Sequence, residues 1–255
     1  MTERTRILIL GGTGEAAALA MRLGRAMTFE VVISFAGRTK APAALPGEVR
    51  RGGFGGPEGL ARYLAEHRIE LVVDATHPFA AVMSRNAAEA CGAVGVPRLA
   101  LVRPPWRQQP EDRWTAAPDM AAAAALLPDL GSRVFLTSGR QGIEAFSPLT
   151  ETWFLVRLIE PPGETLPLAH HTLIYGRGPF TVEQELTLLD EHEIGVVVSK
   201  NSGGAATHAK LDAARRRGLP VVMIERPPRP DGPFVQSVDD AMDWIEAHGT
   251  GAEST

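Results

Sequence analysis

The 255-residue sequence contains a single cysteine, Cys91. One thiol forms no internal disulfide and supplies no multi-cysteine metal site. It stands in the small-residue run Ala87-Ala88-Glu89-Ala90-Cys91-Gly92 and reads as a buried structural thiol. Long hydrophobic runs are lacking too. No window approaches the ~18 apolar residues of a membrane span. The apolar run after Arg6 stops at Gly11, too short for a secretory h-region and ending in glycines rather than a cleavage site. These absences predict a cytoplasmic protein. Neither charge sign dominates: 26 Lys+Arg against 30 Asp+Glu give −4, which excludes a general nucleic-acid binder while allowing a local basic cleft.

Several chemistries are missing as well. Neither Tyr63 nor Tyr175, the two tyrosines, is followed by lysine four positions on, so the Tyr-x-x-x-Lys pair of short-chain dehydrogenases is absent. There is no G-x-S-x-G nucleophile elbow and no H-E-x-x-H. His170 and His171 are adjacent and cannot share one face, so no metal is expected.

What is present is an alternation of strand and helix patterns. Strands are expected at 6–10, 30–35, 70–74 and 97–102, with helices at 15–26, 57–67 and 79–91. The Pro-, Arg- and Gln-rich stretch 103–112 breaks the rhythm and suggests a domain junction. Beyond it, helices are expected at 120–127, 181–192, 205–217 and 238–248. Strands are expected at 133–137, 152–158, 172–175, 195–199 and 220–224, before a fraying tail. The expected fold is α/β, with two Rossmann-like domains (1–105 and 106–255) whose mainly parallel sheets face a central cleft.

The segment Ile7-Leu8-Ile9-Leu10-Gly11-Gly12-Thr13-Gly14-Glu15-Ala16-Ala17 satisfies G-x-G-x-x-A between a strand and a helix. Gly12 suits the tight turn, Gly14 the close approach of a pyrophosphate, and Ala17 close helix–strand packing. A purely structural turn is the alternative. An NAD site carries an acid at the end of the second strand. Here that acid is missing, and Ser34, Arg38, Thr39 and Lys40 stand where a 2′-phosphate would sit. NADP(H) is therefore favoured over NAD(H), the alternative being a solvated basic turn. In Arg51-Gly52-Gly53-Phe54-Gly55-Gly56, Gly53 and Phe54 suit either a ligand contact or a surface loop.

Asp74-Ala75-Thr76-His77-Pro78-Phe79-Ala80 follows a strand, so Thr76 and His77 point toward the expected ligand crevice. His77 could move a proton. The structural alternative makes Thr76 a helix cap and bonds His77 to backbone. In the second half, Lys200-Asn201-Ser202-Gly203-Gly204 repeats the strand–glycine–helix logic and continues to Thr207 and Lys210. Arg140 and Arg177 also follow expected strands. If these cations converge, they suit a ligand with several carboxylates.

Taken in order, the Leu10–Glu15 loop, Ala36-Gly37-Arg38, Gly52–Gly56, Asp74–Ala80, Gly176-Arg177-Gly178-Pro179-Phe180, Lys200–Gly204, Thr207, Lys210 and Val222-Met223-Ile224-Glu225-Arg226-Pro227 resemble the precorrin-6A reductase family of cobalamin biosynthesis. The resemblance implies reduction of one double bond of precorrin-6A to give precorrin-6B, with NADPH as donor, hydride added at C19 and a proton at C18. It also implies roles. Gly12, Thr13, Gly14 and Glu15 belong to the cofactor loop, and Ser34, Arg38, Thr39 and Lys40 select the 2′-phosphate. Gly53 and Phe54 border the cofactor, and Thr76 and His77 border the nicotinamide. Arg140, Arg177, Lys200, Asn201, Ser202, Gly203, Thr207 and Lys210 face the macrocycle. Neighbouring cobalamin-pathway enzymes are conceivable partners; nucleic acid and membrane are not expected. A non-catalytic NADP(H) sensor and a reductase of another anionic metabolite stay open as alternatives.

Overall fold

The computed structural model describes residues 4–35 and 45–249. Arg38, Thr39 and Lys40 lie outside the described residues. The first unit contains β1 (Thr5–Leu10), α1 (Gly14–Leu23), β2 (Phe29–Phe35), β3 (Glu48–Arg51), α2 (Gly56–Glu66), β4 (Leu71–Asp74), α3 (Ala81–Val94) and β5 (Arg98–Leu101). The second contains β6 (Arg113–Ala117), α4 (Met120–Leu126), β7 (Arg133–Leu136), β8 (Trp153–Leu158), β9 (His170–Tyr175), α5 (Val182–Glu191), β10 (Val196–Lys200), α6 (Ala209–Arg217) and β11 (Pro220–Ile224). The chain then returns to the first unit with β12 (Phe234–Val235) and α7 (Val238–Gly249).

Among the described residues both sheets have six strands, and every pairing in them is parallel. The first runs β3-β2-β1-β4-β5-β12, the Rossmann order with its sixth place filled by the returning chain. The second runs β9-β8-β7-β10-β11-β6, the same pattern with its sixth place filled by the strand that opens the unit.

Central strands are apolar on both faces because helices cover both. Ile7, Ile9, Ile33 and Val73 pack against Leu19 and Leu23 of α1 and Ala241, Met242 and Ile245 of α7. Leu8, Leu10, Val32 and Val72 pack on the other face with Leu60 and Leu64 of α2 and Ala87, Ala90 and Cys91 of α3. Cys91 is buried, and desolvation pushes its thiol up to about 12, which keeps it protonated and inert. In the second unit, Phe135, Leu155, Val197 and Val221 meet Leu189 of α5 and Leu211 and Ala214 of α6. Thr181 and Gln184 start α5 with reciprocal capping bonds.

The expected second domain of 106–255 is corrected at its C-terminal end. The compact units are residues up to Pro104 together with those from Pro227 onward, and Pro105–Arg226. The apolar stripe of α7 identifies a helix but carries no information about which sheet it covers. It covers the first, and a bond from the Thr5 hydroxyl to the Gly249 carbonyl ties its end there.

The strands that the sequence pattern does not announce are β3, β6 and β12, and all three lie at sheet edges. An edge strand need not be apolar on both faces. β3 accordingly reads Glu-Val-Arg-Arg and is largely exposed. Helix α6 starts at Ala209 rather than at residue 205, because Gly203 and Gly204 take left-handed φ values of 69° and 78° and a turn follows them.

Candidate functional site

In an open parallel sheet, ligands bind outside the carboxyl ends of the strands where the strand order reverses. In the first sheet that point lies between β1 and β4, with Leu10 beside Asp74. The glycine loop after β1 and residues 75–80 after β4 therefore leave the sheet as neighbours.

Gly12 has a φ of 121°, a value that favours glycine, and beyond its two chain neighbours nothing lies within 4 Å of where its Cβ would stand. The space at Gly14 is equally open. This open backbone at the start of α1 fits a pyrophosphate. Thr13 caps α1: its hydroxyl accepts from the Ala16 N–H at 3.1 Å and donates to the Ala75 carbonyl at 2.8 Å. That hydroxyl stitches the two loops together, while the Thr13 carbonyl accepts from the Ala17 N–H at 3.3 Å. Glu15 pairs with Arg103 at 2.9 Å. The pairing offsets a carboxylate that would otherwise repel an anion at the helix start.

The end of β2 holds a cation that the sequence reading missed. Ser34 is buried and lies in register with Arg50 of β3, whose guanidinium reaches the Ser34 hydroxyl at 3.4 Å. Arg50 also donates to the Gly52 and Gly53 carbonyls at 2.6 and 2.8 Å and lies 3.7 Å over the Phe54 ring. Phe54 in turn meets Tyr63 edge-on. The Gly53–Phe54 loop thus supports Arg50. Helix α2 admits the loop closely, since a Cβ on Gly59 would stand 1.8 Å from the Phe54 carbonyl oxygen. The signal for Arg50 was an Arg-Arg pair just before the glycine loop, unreadable without knowing that an edge strand pairs with β2.

Asp74 is buried, and its carboxylate accepts from the Thr76 hydroxyl at 2.7 Å and the Thr76 N–H at 3.2 Å. Thr76 is therefore fixed by Asp74 and does not cap α3, whose cap residue is Ala80. The His77 Nδ1 accepts from the Phe79 N–H at 3.3 Å.

In the second sheet the reversal lies between β7 and β10, and parallel pairing brings Arg140, Arg177 and Lys200 to one carboxyl edge. Arg140 and Arg177 are exposed. Lys200 is partly buried, and desolvation lowers its ammonium below the ordinary lysine range. The loops after β9 and β10 touch: the Phe180 N–H donates to the Ala206 carbonyl at 3.3 Å.

Two expected macrocycle contacts are turned inward instead. The Asn201 amide is occupied at both ends by the backbone of Trp106, accepting from its N–H at 2.8 Å and donating to its carbonyl at 3.2 Å. Lys210 is 5% exposed and donates to the Thr207 carbonyl at 2.8 Å. Burial pushes its ammonium down to about 7, opposed by Glu185 and reinforced by Arg157. Arg226 donates to the carbonyls of Asn201 and Ser202 at 2.8 and 3.0 Å. Ser202, Gly203 and Thr207 lie on this strapped loop. Among the described residues, no group of three or more His, Cys, Asp or Glu side chains could hold a metal ion, and no helix is long and apolar enough to cross a membrane.

Residues 6–246 match a family model described as precorrin-6x reductase CbiJ/CobK. A precorrin-6A reductase from Rhodococcus erythropolis is 53% identical over 244 residues, covering 94% of this chain and 97% of the relative. A solved structure, CobK precorrin-6A reductase, superposes with a TM-score of 0.90 at 47% identity, covering 98% of this chain and 100% of the other. A cobalt-precorrin-6A reductase from Priestia megaterium is 28% identical over 232 residues, covering 87% of this chain and 90% of the relative.

Proposed function

This chain belongs to the precorrin-6x reductase family, and we propose that it reduces precorrin-6A to precorrin-6B with NADPH, adding hydride at C19 and a proton at C18. It is an oxidoreductase of cobalamin biosynthesis. The observation that carries the cofactor side of this reading is the open glycine backbone at the switch point, with Thr76 and His77 on the adjoining loop. The 53% identity to a precorrin-6A reductase, against 28% to a cobalt-precorrin-6A reductase, supports a metal-free macrocycle.

NADPH supplies the hydride when bound. The protein's contribution is to hold donor and acceptor in register and to exclude competing reactions. The backbone N–H groups of the Gly12-Thr13-Gly14 loop hold the pyrophosphate, while Ser34 and Arg50, with Arg38, Thr39 and Lys40, receive the 2′-phosphate. Arg140, Arg177, Lys200, Ser202, Gly203 and Thr207 meet the substrate's carboxylates. A conjugated macrocycle already accepts hydride well, so the protein needs no strong acid. His77 is the candidate proton donor to C18.

NADPH carrying deuterium at the transferable position of its nicotinamide tests this reading. The product is expected to hold that deuterium at C19 and solvent hydrogen at C18; label at C18 would contradict it. In the same assay, His77→Ala is expected to lower kcat by roughly a hundredfold with the NADPH Kd unchanged. A nearly unchanged kcat would remove His77 from proton delivery.

A further inference from the structure

The loop that carries Lys200-Asn201-Ser202-Gly203-Gly204 and runs to Thr207 has no regular secondary structure past Lys200 before α6. Gly203 and Gly204 are left-handed and Ala205 and Ala206 are exposed, so its own side chains do little to hold one shape. Its shape is set from beneath. Asn201, at its start, grips the Trp106 backbone. Gly204, in its middle, accepts the Trp106 indole N–H at 2.8 Å. Thr207, at its end, accepts Lys210 Nζ at 2.8 Å, and that nitrogen lies 4.9 Å from the Trp106 ring centroid.

We propose that Lys210 is a positioning residue that, with Trp106, holds the Asn201–Thr207 loop in the shape that receives the macrocycle's carboxylates. This rests on the substrate reading above. Lys210 is too buried to be a direct ligand, since only 5% of it reaches solvent. An apolar side chain of similar length would avoid the cost of burying an amine but would leave the Thr207 carbonyl without this donor. The amine donates to that carbonyl whether or not it carries the extra proton. Its charged surroundings are fixed as well. Glu185 of α5 binds Arg157 of β8 through two bonds at 2.5 and 3.0 Å, and Arg157 lies 4.0 Å from the ring centre of Phe180 on the neighbouring loop. The His208 ring meets Trp106 edge-on at 5.8 Å. One layer of contacts thus underlies the loops after β9 and β10.

The test uses the full chain with three substitutions: Lys210→Met removes the donor, Lys210→Gln keeps a neutral donor, and Trp106→Phe keeps a ring without its N–H. Backbone hydrogen exchange over 201–208 is read together with the NADPH Kd and with kcat and KM for precorrin-6A. Lys210→Met is expected to speed exchange about tenfold and to raise KM roughly ten- to hundredfold, with the NADPH Kd within about twofold of wild type. Lys210→Gln is expected to recover most of both effects, and Trp106→Phe to move both in the direction of Met. Wild-type exchange and KM in Lys210→Met would overturn the proposal. So would a Gln variant with wild-type exchange and the KM of Met, which would mark the charge as a direct substrate contact. If Lys210→Met does not fold, Gln and Trp106→Phe decide: wild-type exchange in Trp106→Phe counts against the proposal. A wild-type protein inactive on precorrin-6A would refute the substrate reading alone, because the exchange comparison needs no substrate.

Discussion

A chain ending at Arg226 is expected to lose the folded first unit, not merely a tail. Such a chain lacks β12, which pairs with β5, and α7, whose Ala241, Met242 and Ile245 close one face of the first sheet. Burying a large apolar side chain stabilises by ~1.5–3 kcal/mol. Truncation forfeits several such contributions and also exposes the apolar face beneath them, including Leu19 and Leu23 of α1. That sum is comparable with a whole domain's stability of about 5–15 kcal/mol. Ile245→Ala, a milder form of the experiment, is expected to cost about 2–5 kcal/mol. Circular dichroism and calorimetry on the truncated chain check the claim. A cooperative first-unit transition with intact NADPH binding would contradict it.

Replacing Arg50 with alanine is expected to weaken NADPH roughly 10- to 100-fold and NADH by no more than about twofold, since a hydrogen bond to a charged group is worth about 1.5–3 kcal/mol and each 1.4 kcal/mol is tenfold. NADH serves as an internal control. Arg50 also bonds the Gly52 and Gly53 carbonyls, so a collapsed loop would penalise both cofactors. Arg50→Lys is expected to recover only part of the loss, because an ammonium supplies charge without the planar fork. Arg38→Ala, titrated in the same way, measures the share of Arg38. Equal losses for NADPH and NADH would remove either arginine from 2′-phosphate selection.

These two expectations mark where sequence reading reached its limit. Buried strands such as Ile7–Leu10 and Val196–Val198 were legible because an apolar run before a glycine turn has few other readings. The loops at their ends are legible for the same reason, which is why the sequence alone puts Gly12, Thr76 and Lys200 at the carboxyl ends of strands. The return of α7 to the first sheet was not legible, because its apolar stripe fits any uncovered sheet face. β3 was hidden by its charged edge character, and Arg50 was hidden with it. Side-chain direction was the other loss. Asn201 and Lys210 sit in the expected loop and helix, yet both point into the fold, toward a Trp106 that the sequence shows only within a proline-rich junction.

The central claim is that this chain passes hydride from NADPH to precorrin-6A. The most direct test is the loss of reduced-nicotinamide absorbance on mixing the full chain with NADPH and metal-free precorrin-6A, with NADH run alongside. The account predicts consumption that requires the macrocycle and is faster with NADPH. NADPH that binds but is not consumed, with metal-free and cobalt-bearing macrocycle alike, would contradict it.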